Sequence, residues 1–264
     1  MIEFIIIVGA GFLCGFFNTV ASSGSAVTLP LLVFLGLPPA MANGTNRLPV
    51  VIGSVMASIT FIRAGLIDRG LAFKIVAPSL IGGVVGTLLV DYITPKHLQV
   101  LIVGAVVMAL ILLFTSIKQA LQKTFEEPHR YRYRDVFYLF LIGIWMGLIV
   151  LDSATYLLML LVLSMRLQLP VANGYKNIVI AVVSTISLVI LAIDRSIDWK
   201  TGSILAGGSL IGGYVGAKFA MHPLAKKWTY RLLVVIIILE LAHILVRYAT
   251  GTLISTGAMN MPKL

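Results

Sequence analysis

The sequence predicts an all-α protein that crosses a lipid bilayer many times, and three observations carry that prediction. Of 264 residues, 59% are hydrophobic and only 11% charged, against roughly 25% charged in an ordinary soluble domain. The mean hydropathy is +1.03, which leaves far more apolar surface than a soluble core can hide. From Phe4 to Asn46 there is no Asp, Glu, Lys or Arg, and at about 1.5 Å per residue that run crosses a ~30 Å hydrocarbon layer twice.

Taken in order, apolar segments lie at 2–20, 48–62, 71–93, 98–117, 136–151, 177–193, 201–221 and 229–249, and each is a candidate spanning helix. The first carries Glu3 and lacks a basic leading region, so it is expected to stay as a helix rather than be cleaved. Two runs, Val27 to Leu37 and Ser153 to Met165, fall short of the ~17 residues needed to cross and predict short or broken helices. The basic residues cluster at segment ends without an interleaved aromatic stripe, so the net charge of +10 points to anionic headgroups and not to nucleic acid. The single cysteine, Cys14, excludes a disulfide framework and a thiolate metal cluster.

The one long hydrophilic stretch, Lys118 to Asp135, holds five Lys and Arg and divides the chain into a first transmembrane repeat (1–117), a cytoplasmic linker (118–135) and a second repeat (136–264). The halves match at an offset of 130. Ala42-Asn43-Gly44 returns as Ala172-Asn173-Gly174, Ile67-Asp68 as Ile197-Asp198, and Ser79-Leu80-Ile81-Gly82-Gly83 as Ser209-Leu210-Ile211-Gly212-Gly213. Ser54 with Ser184 and Gly86 with Gly216 keep the same offset, the signature of an internal repeat. If the short runs cross, each half has about five segments, four long and one short or broken, and the halves are inverted. Fourteen Lys and Arg then face the inside and six the outside, as the positive-inside rule prefers; re-entrant short runs would make the halves parallel and the split less favourable.

Each half sets a short broken element beside a polar, glycine-bearing turn, the pattern that marks a midplane binding site in transporters. The first half offers Asn18, Ser22, Ser23, Gly24, Ser25, Asn43, Gly44, Thr45, Asn46 and Arg47. The second offers Asp152, Ser153, Thr155, Asn173, Gly174, Tyr175, Lys176 and Asn177. Glycine and serine let the backbone unwind, and a half-helix starting there aims free N–H groups and its positive dipole end at an anion. Arg47 and Lys176 either supply charge to that anion or snorkel at helix ends. The matched Gly82/Gly86 and Gly212/Gly216 pairs read as helix-packing surfaces. Among carboxylates, Asp152 is a candidate for coupling to a proton or cation or for capping the next short helix, and Glu240 is a weaker one.

Ser23-Gly24-Ser25-Ala26-Val27-Thr28-Leu29-Pro30-Leu31-Leu32, followed by Gly36-Leu37-Pro38-Pro39 and Ala42-Asn43-Gly44-Thr45-Asn46, resembles the glycine-rich first-half motif of the sulfite exporter family (TauE/SafE type). The two-half layout with a charged middle loop is similar too, and Ser22-Ser23-Gly24-Ser25 stands where that family has its glycine cluster. The resemblance implies a secondary transporter in the cytoplasmic membrane. It would move sulfite, a sulfonate or a related sulfur-containing anion, usually outward, without nucleotide or organic cofactor. The expected partners are that small anion, the lipid bilayer, a coupling proton or cation and, as an open alternative, further copies of the chain. An anion channel is the nearest rival reading. An intramembrane serine hydrolase built on Ser22, Ser23 and His243 is a distant one. The chain has no HExxH and no P-loop motif for a zinc protease or an ATP-driven pump.

Overall fold

A computed structural model of the chain describes residues 2–21, 24–93, 131–149, 153–193 and 197–222, together with residues 225, 228, 231 and 235. The described residues form helices and connecting turns, with no strand among them. In chain order these are α1 (Ile2–Ala21), α2 (Ser25–Phe34), α3 (Pro39–Arg63), α4 (Arg69–Leu89), α5 (Tyr133–Leu148), α6 (Ser153–Met159, continued by a π-turn at Leu160–Ser164), α7 (Leu169–Ile193) and α8 (Trp199–Ala220). Four of them, α1, α3, α4 and α7, are long and apolar enough to cross a membrane. The expected segment 98–117, the segment 229–249 apart from residues 231 and 235, and linker residues 118–130 lie outside the described residues.

Helices α3 and α7 begin about eight residues earlier than hydropathy suggests, so the two Asn-Gly stretches are not turns but the opening turns of long helices. The physical cause is local. Pro39 takes the first position of α3 and Pro170 the second residue of α7, where a missing N–H costs nothing and the fixed φ suits a helix. A scale that scores polar residues as interfacial cannot see a helix whose polar face is buried.

Helix α8 lies along α1 and α4 along α5, and glycine decides both contacts. A Cβ built on Gly212 would lie 2.0 Å from the Phe12 carbonyl oxygen, and one on Gly82 would lie 2.0 Å from that of Phe140. Gly86 meets Ile144 in the way Gly216 meets Phe16. Conversely, Gly15 meets the Ser209 carbonyl and Gly143 that of Ser79. The first helix of each half thus packs against the fourth helix of the other, backbone on backbone, as small residues permit in lipid. Matching contacts also tie the loops. The Asp68 N–H donates to the Tyr175 hydroxyl at 2.9 Å, and the Asp198 N–H donates to the Thr45 hydroxyl at 2.9 Å. Both Asp residues cap the helix that follows.

The contacts also give directions. Val8, Phe12 and Phe16 climb beside Gly208, Gly212 and Gly216, and Thr45 and Gly53 climb beside Gly202 and Ser209, so α1, α3 and α8 run one way. By the same reading, α5 and α7 run with α4, since Gly82 and Gly86 meet Phe140 and Ile144 while Gly83 meets Val183. Helices α3 and α7 cross the centre in opposite directions, with Phe61 against Gly174 and Val51 packed with Leu188.

Gly212→Ala and Gly82→Ala are expected to force these helix pairs apart at about 1–3 kcal/mol each, read as a melting temperature several degrees lower in detergent. Gly207, whose Cβ position has nothing within 4 Å, serves as the comparison, and Gly207→Ala should be neutral or stabilising by up to about 1 kcal/mol. Equal effects at all three sites would remove the packing explanation.

Candidate functional site

In each half a short helix follows the first helix after a break. At the first break, Gly24 sits directly against α1, where a Cβ would lie 2.1 Å from the Cys14 carbonyl oxygen. Helix α2 then runs back along α1, with Thr28 beside Cys14 and Leu32 packed with Ile7 and Ala10. Both half-helices are irregular at the same repeat position. Pro30 interrupts α2, and its counterpart Leu160 opens the π-turn, a feature frequent at functional sites. Both also end in a left-handed residue, Gly36 (φ 90°) in one and Arg166 (φ 55°) in the other.

Two buried cations close these breaks. Arg47 donates from Nη1 to the Met146 carbonyl at 2.9 Å and from Nη2 to the Gly147 carbonyl at 2.7 Å. Lys176 donates from Nζ to the Asn18 carbonyl at 2.8 Å and the Thr19 carbonyl at 2.9 Å. Each residue crosses from one half to the last turn of the first helix in the other half. There it meets carbonyls that have no intrahelical partner and the negative end of the dipole. Both side chains are fully buried, which corrects the snorkelling alternative. In a low-dielectric interior, charge-assisted bonds of this kind are strong, and the same charge left unmatched would be prohibitive.

The remaining polar groups divide unequally. In the first half, Thr28 donates to Asn46 Oδ1, Asn46 Nδ2 donates to the Ser25 hydroxyl at 3.0 Å, and Asn18 Nδ2 reaches the Ser54 hydroxyl at 3.4 Å. In the second half, the Thr155 hydroxyl, both polar atoms of the Asn173 side chain, Asn177 Oδ1 and the Ser184 hydroxyl are buried without a hydrogen-bond partner among the described residues. Asn43 Oδ1 and Arg47 Nε share that condition. Each such atom costs about 1–3 kcal/mol, so the run of them along one face of α7 at Asn173, Asn177 and Ser184 marks a place built for something other than stability.

The structure brings some expected site residues together and separates others. Asn18, Gly24, Ser25, Asn46, Arg47, Ser153, Thr155, Lys176 and Asn177 gather around the two breaks, all buried. Asn43 and Asn173 do not meet. Asn173 sits at the Phe61 end of α3, because its neighbour Gly174 packs on Phe61, and eighteen residues of helix separate Phe61 from Asn43, about 27 Å at 1.5 Å per residue. Thr45 and Tyr175 give their hydroxyls to the loop contacts already described. Gly174 makes room for Phe61 and Ile67, and Gly44 is buried in the opening turns of α3. Ser22, Ser23, Asp152, Glu240 and His243 lie outside the described residues. Ser54 and Ser184 were visible only as a repeat pair. Their signal is spacing: Asn173, Asn177 and Ser184 fall on one face of α7, as Asn43, Arg47 and Ser54 do on α3. Because α3 and α7 are antiparallel, Ser54 and Ser184 come to the same depth.

A family model described as "Sulfite exporter TauE/SafE" matches residues 7–243. The chain is 28% identical over 219 residues to a Haemophilus influenzae protein named "Probable membrane transporter protein", covering 80% of this chain and 82% of that one. It is 24% identical over 214 residues to "Probable membrane transporter protein YfcA" of Escherichia coli, covering 79% and 77%. It is also 24% identical over 220 residues to "Probable membrane transporter protein ORF9" of a Sinorhizobium species, covering 82% and 83%. No solved structure matches.

Lys176→Met keeps the apolar stem of the side chain and removes its bonds to the end of α1. The expected loss is about 1.5–3 kcal/mol, the range for hydrogen bonds to charged groups, seen as a lower melting temperature. Lys176→Arg should retain most of the stability. A Met variant as stable as the parent would show that the α1 carbonyls do not depend on Lys176.

Proposed function

Since the chain belongs to the sulfite exporter TauE/SafE family of membrane transporters, we propose that it moves a small sulfur-containing oxyanion, such as sulfite or a sulfonate, across the cytoplasmic membrane by alternating access. The observation that carries this reading is the pair of buried cations at the two helix breaks. Arg47 and Lys176 bring two full positive charges to the interior of an apolar bundle. The helix ends they meet return only about half a negative charge each. The half-helix α2 begins beside the same place with its free N–H groups. An anion entering such a centre finds favourable potential and several simultaneous donors, which a dehydrated oxyanion in a low-dielectric interior requires.

The proposed architecture is two inverted halves, 1–117 and 136–264, joined by a cytoplasmic linker at 118–135. Two observations support it: the repeat-matched helices run in opposite directions, and with inverted halves 13 of the 18 Lys and Arg other than the buried Arg47 and Lys176 would fall on the side of the linker. In such a pair either half can rock over a common centre. Asn43 and Asn173 then stand toward opposite faces of the membrane, each beside a different mouth of the pathway.

Cysteines introduced at Gln122 and Ser255 should label from opposite sides of the membrane, and labelling from one side would refute the inverted arrangement. Proteoliposomes holding the parent protein should take up labelled sulfite, and Asn43→Ala and Asn173→Ala should each slow uptake by roughly 5- to 100-fold, corresponding to about 1–3 kcal/mol for one lost donor. Ser79→Ala should change little, because that hydroxyl only bonds the Ile75 carbonyl one turn back. A parent that carries no sulfite, or two Asn variants that carry it normally, would overturn the reading.

A further inference from the structure

Three pairs of residues related by the internal repeat stand near the breaks; in two of them the first-half hydroxyl is engaged and its second-half counterpart is not, and in the third each member keeps one polar atom without a partner. Ser25 accepts a hydrogen bond from Asn46, and its counterpart Thr155 has no partner for its hydroxyl among the described residues. Arg47 holds two carbonyls with its Nη atoms and leaves only Nε without a partner; its counterpart Asn177 leaves Oδ1 without one. Ser54 accepts from Asn18, and its counterpart Ser184 has no partner. Thr155, Asn177 and Ser184 are each fully buried, so bulk water does not satisfy them. The Asn177 amide is also oriented, because its Nδ2 donates to the Asn173 carbonyl at 2.8 Å and so turns Oδ1 the other way.

We propose that the bound oxyanion is held one-sidedly, by Thr155, Asn177 and Ser184 of the second half, while the matching face of the first half is a scaffold satisfied by its own side chains. This rests on the oxyanion reading above and assigns to Ser184 a binding role. Duplicated halves begin with equivalent faces, and a single asymmetric ligand releases one of them from binding. The released face improves its internal bonds; the binding face keeps open donors and acceptors, which a ligand fills and an empty protein leaves unmatched. Ser184 lies at the depth where α3 and α7 cross, and Asn177 lies two turns closer to the start of α7. The face therefore leads from mid-membrane toward Asn173. The two hydroxyls can donate to bare oxygens, whereas Asn177 Oδ1 can only accept, so the face suits an oxyanion that brings a proton of its own as well as bare oxygens.

The test compares one change at two repeat-related positions, using sodium sulfite and purified full-length protein in titration calorimetry, with melting temperature measured in parallel. Ser184→Ala should weaken sulfite binding about tenfold and leave the melting temperature unchanged or higher. Ser54→Ala should leave the affinity within twofold and lower the melting temperature, because Asn18 loses its acceptor. Thr155→Val provides a second, isosteric test of the binding face and should behave as Ser184→Ala does. If Ser184→Ala and Thr155→Val both bind sulfite within twofold of the parent, the assignment is overturned. If Ser54→Ala weakens binding as much as Ser184→Ala, the one-sided arrangement is wrong and the oxyanion reading stands. A parent that binds no sulfite fails the oxyanion reading itself.

Discussion

A helix that ends against the protein interior leaves carbonyl groups where no water can reach them, and most of this structure follows from how that problem is met. The last turns of α1 and α5 are closed by Lys176 and Arg47, each from the opposite half. Bilayers tolerate broken helices only where protein re-satisfies the backbone. A long cationic side chain does so while adding charge that an apolar interior otherwise forbids. The same two residues therefore make the breaks affordable and make the centre electropositive. Removing either cation takes a buried charge from the interior and uncaps a helix at once.

That coupling places demands on the surrounding bundle. Lys176 and Arg47 reach across the boundary between halves, so the halves must be held in register to within a hydrogen bond. The glycine faces supply that register. With backbone carbonyls against Gly82, Gly86, Gly212 and Gly216, α4 with α5 and α1 with α8 form tight blocks made of one helix from each half. The Asp68–Tyr175 and Asp198–Thr45 bonds then pin the loop before each packing helix to the opening turns of α7 and α3. At Asp198 the Thr201 hydroxyl, followed by N–H groups of the next turn, holds the carboxyl below its ordinary range, so the cap stays charged and fixed. Between the blocks stand α3 and α7, tied to them through Gly53 with Gly213 and Gly83 with Val183, and they carry the polar faces.

Divergence between the halves is concentrated on those polar faces. Scaffold positions remain alike: the glycine pairs, the capping Asp residues and Ser79 with Ser209 all recur. Positions around the breaks differ in kind, with Asn46 opposite Lys176, Arg47 opposite Asn177 and Ser25 opposite Thr155. The one-residue slip between Arg47 and Lys176 has a geometric meaning. Each still finds the last two or three carbonyls of its target helix, because side chains of this length absorb a 100° rotation about the helix axis.

Composition and periodicity were enough to determine an all-helical membrane protein, and the recurrence at an offset of 130, the packing role of the glycine pairs and the two short elements were legible in the same way. These depend on local quantities, the free energy of apolar residues in lipid and the recurrence of residue types at a fixed offset. The neighbourhood of the breaks was legible as well, since serine, glycine and asparagine in an apolar run have few other uses. Three matters required the tertiary structure. Hydropathy placed the Asn-Gly stretches in turns, whereas they open α3 and α7, because a buried polar helix face looks interfacial to a local scale. Arg47 and Lys176 read as snorkelling at helix ends or as charges for an anion; their burial removes the first reading, and their bonds to helix ends 99 and 158 residues away in sequence are a relation that no local pattern encodes. Asn43 and Asn173 matched as repeats and so suggested one shared site, yet the antiparallel crossing of α3 and α7 sends them to opposite ends. Repeat symmetry in sequence states which residues are equivalent; only the direction of the axis that relates them decides whether equivalent residues meet.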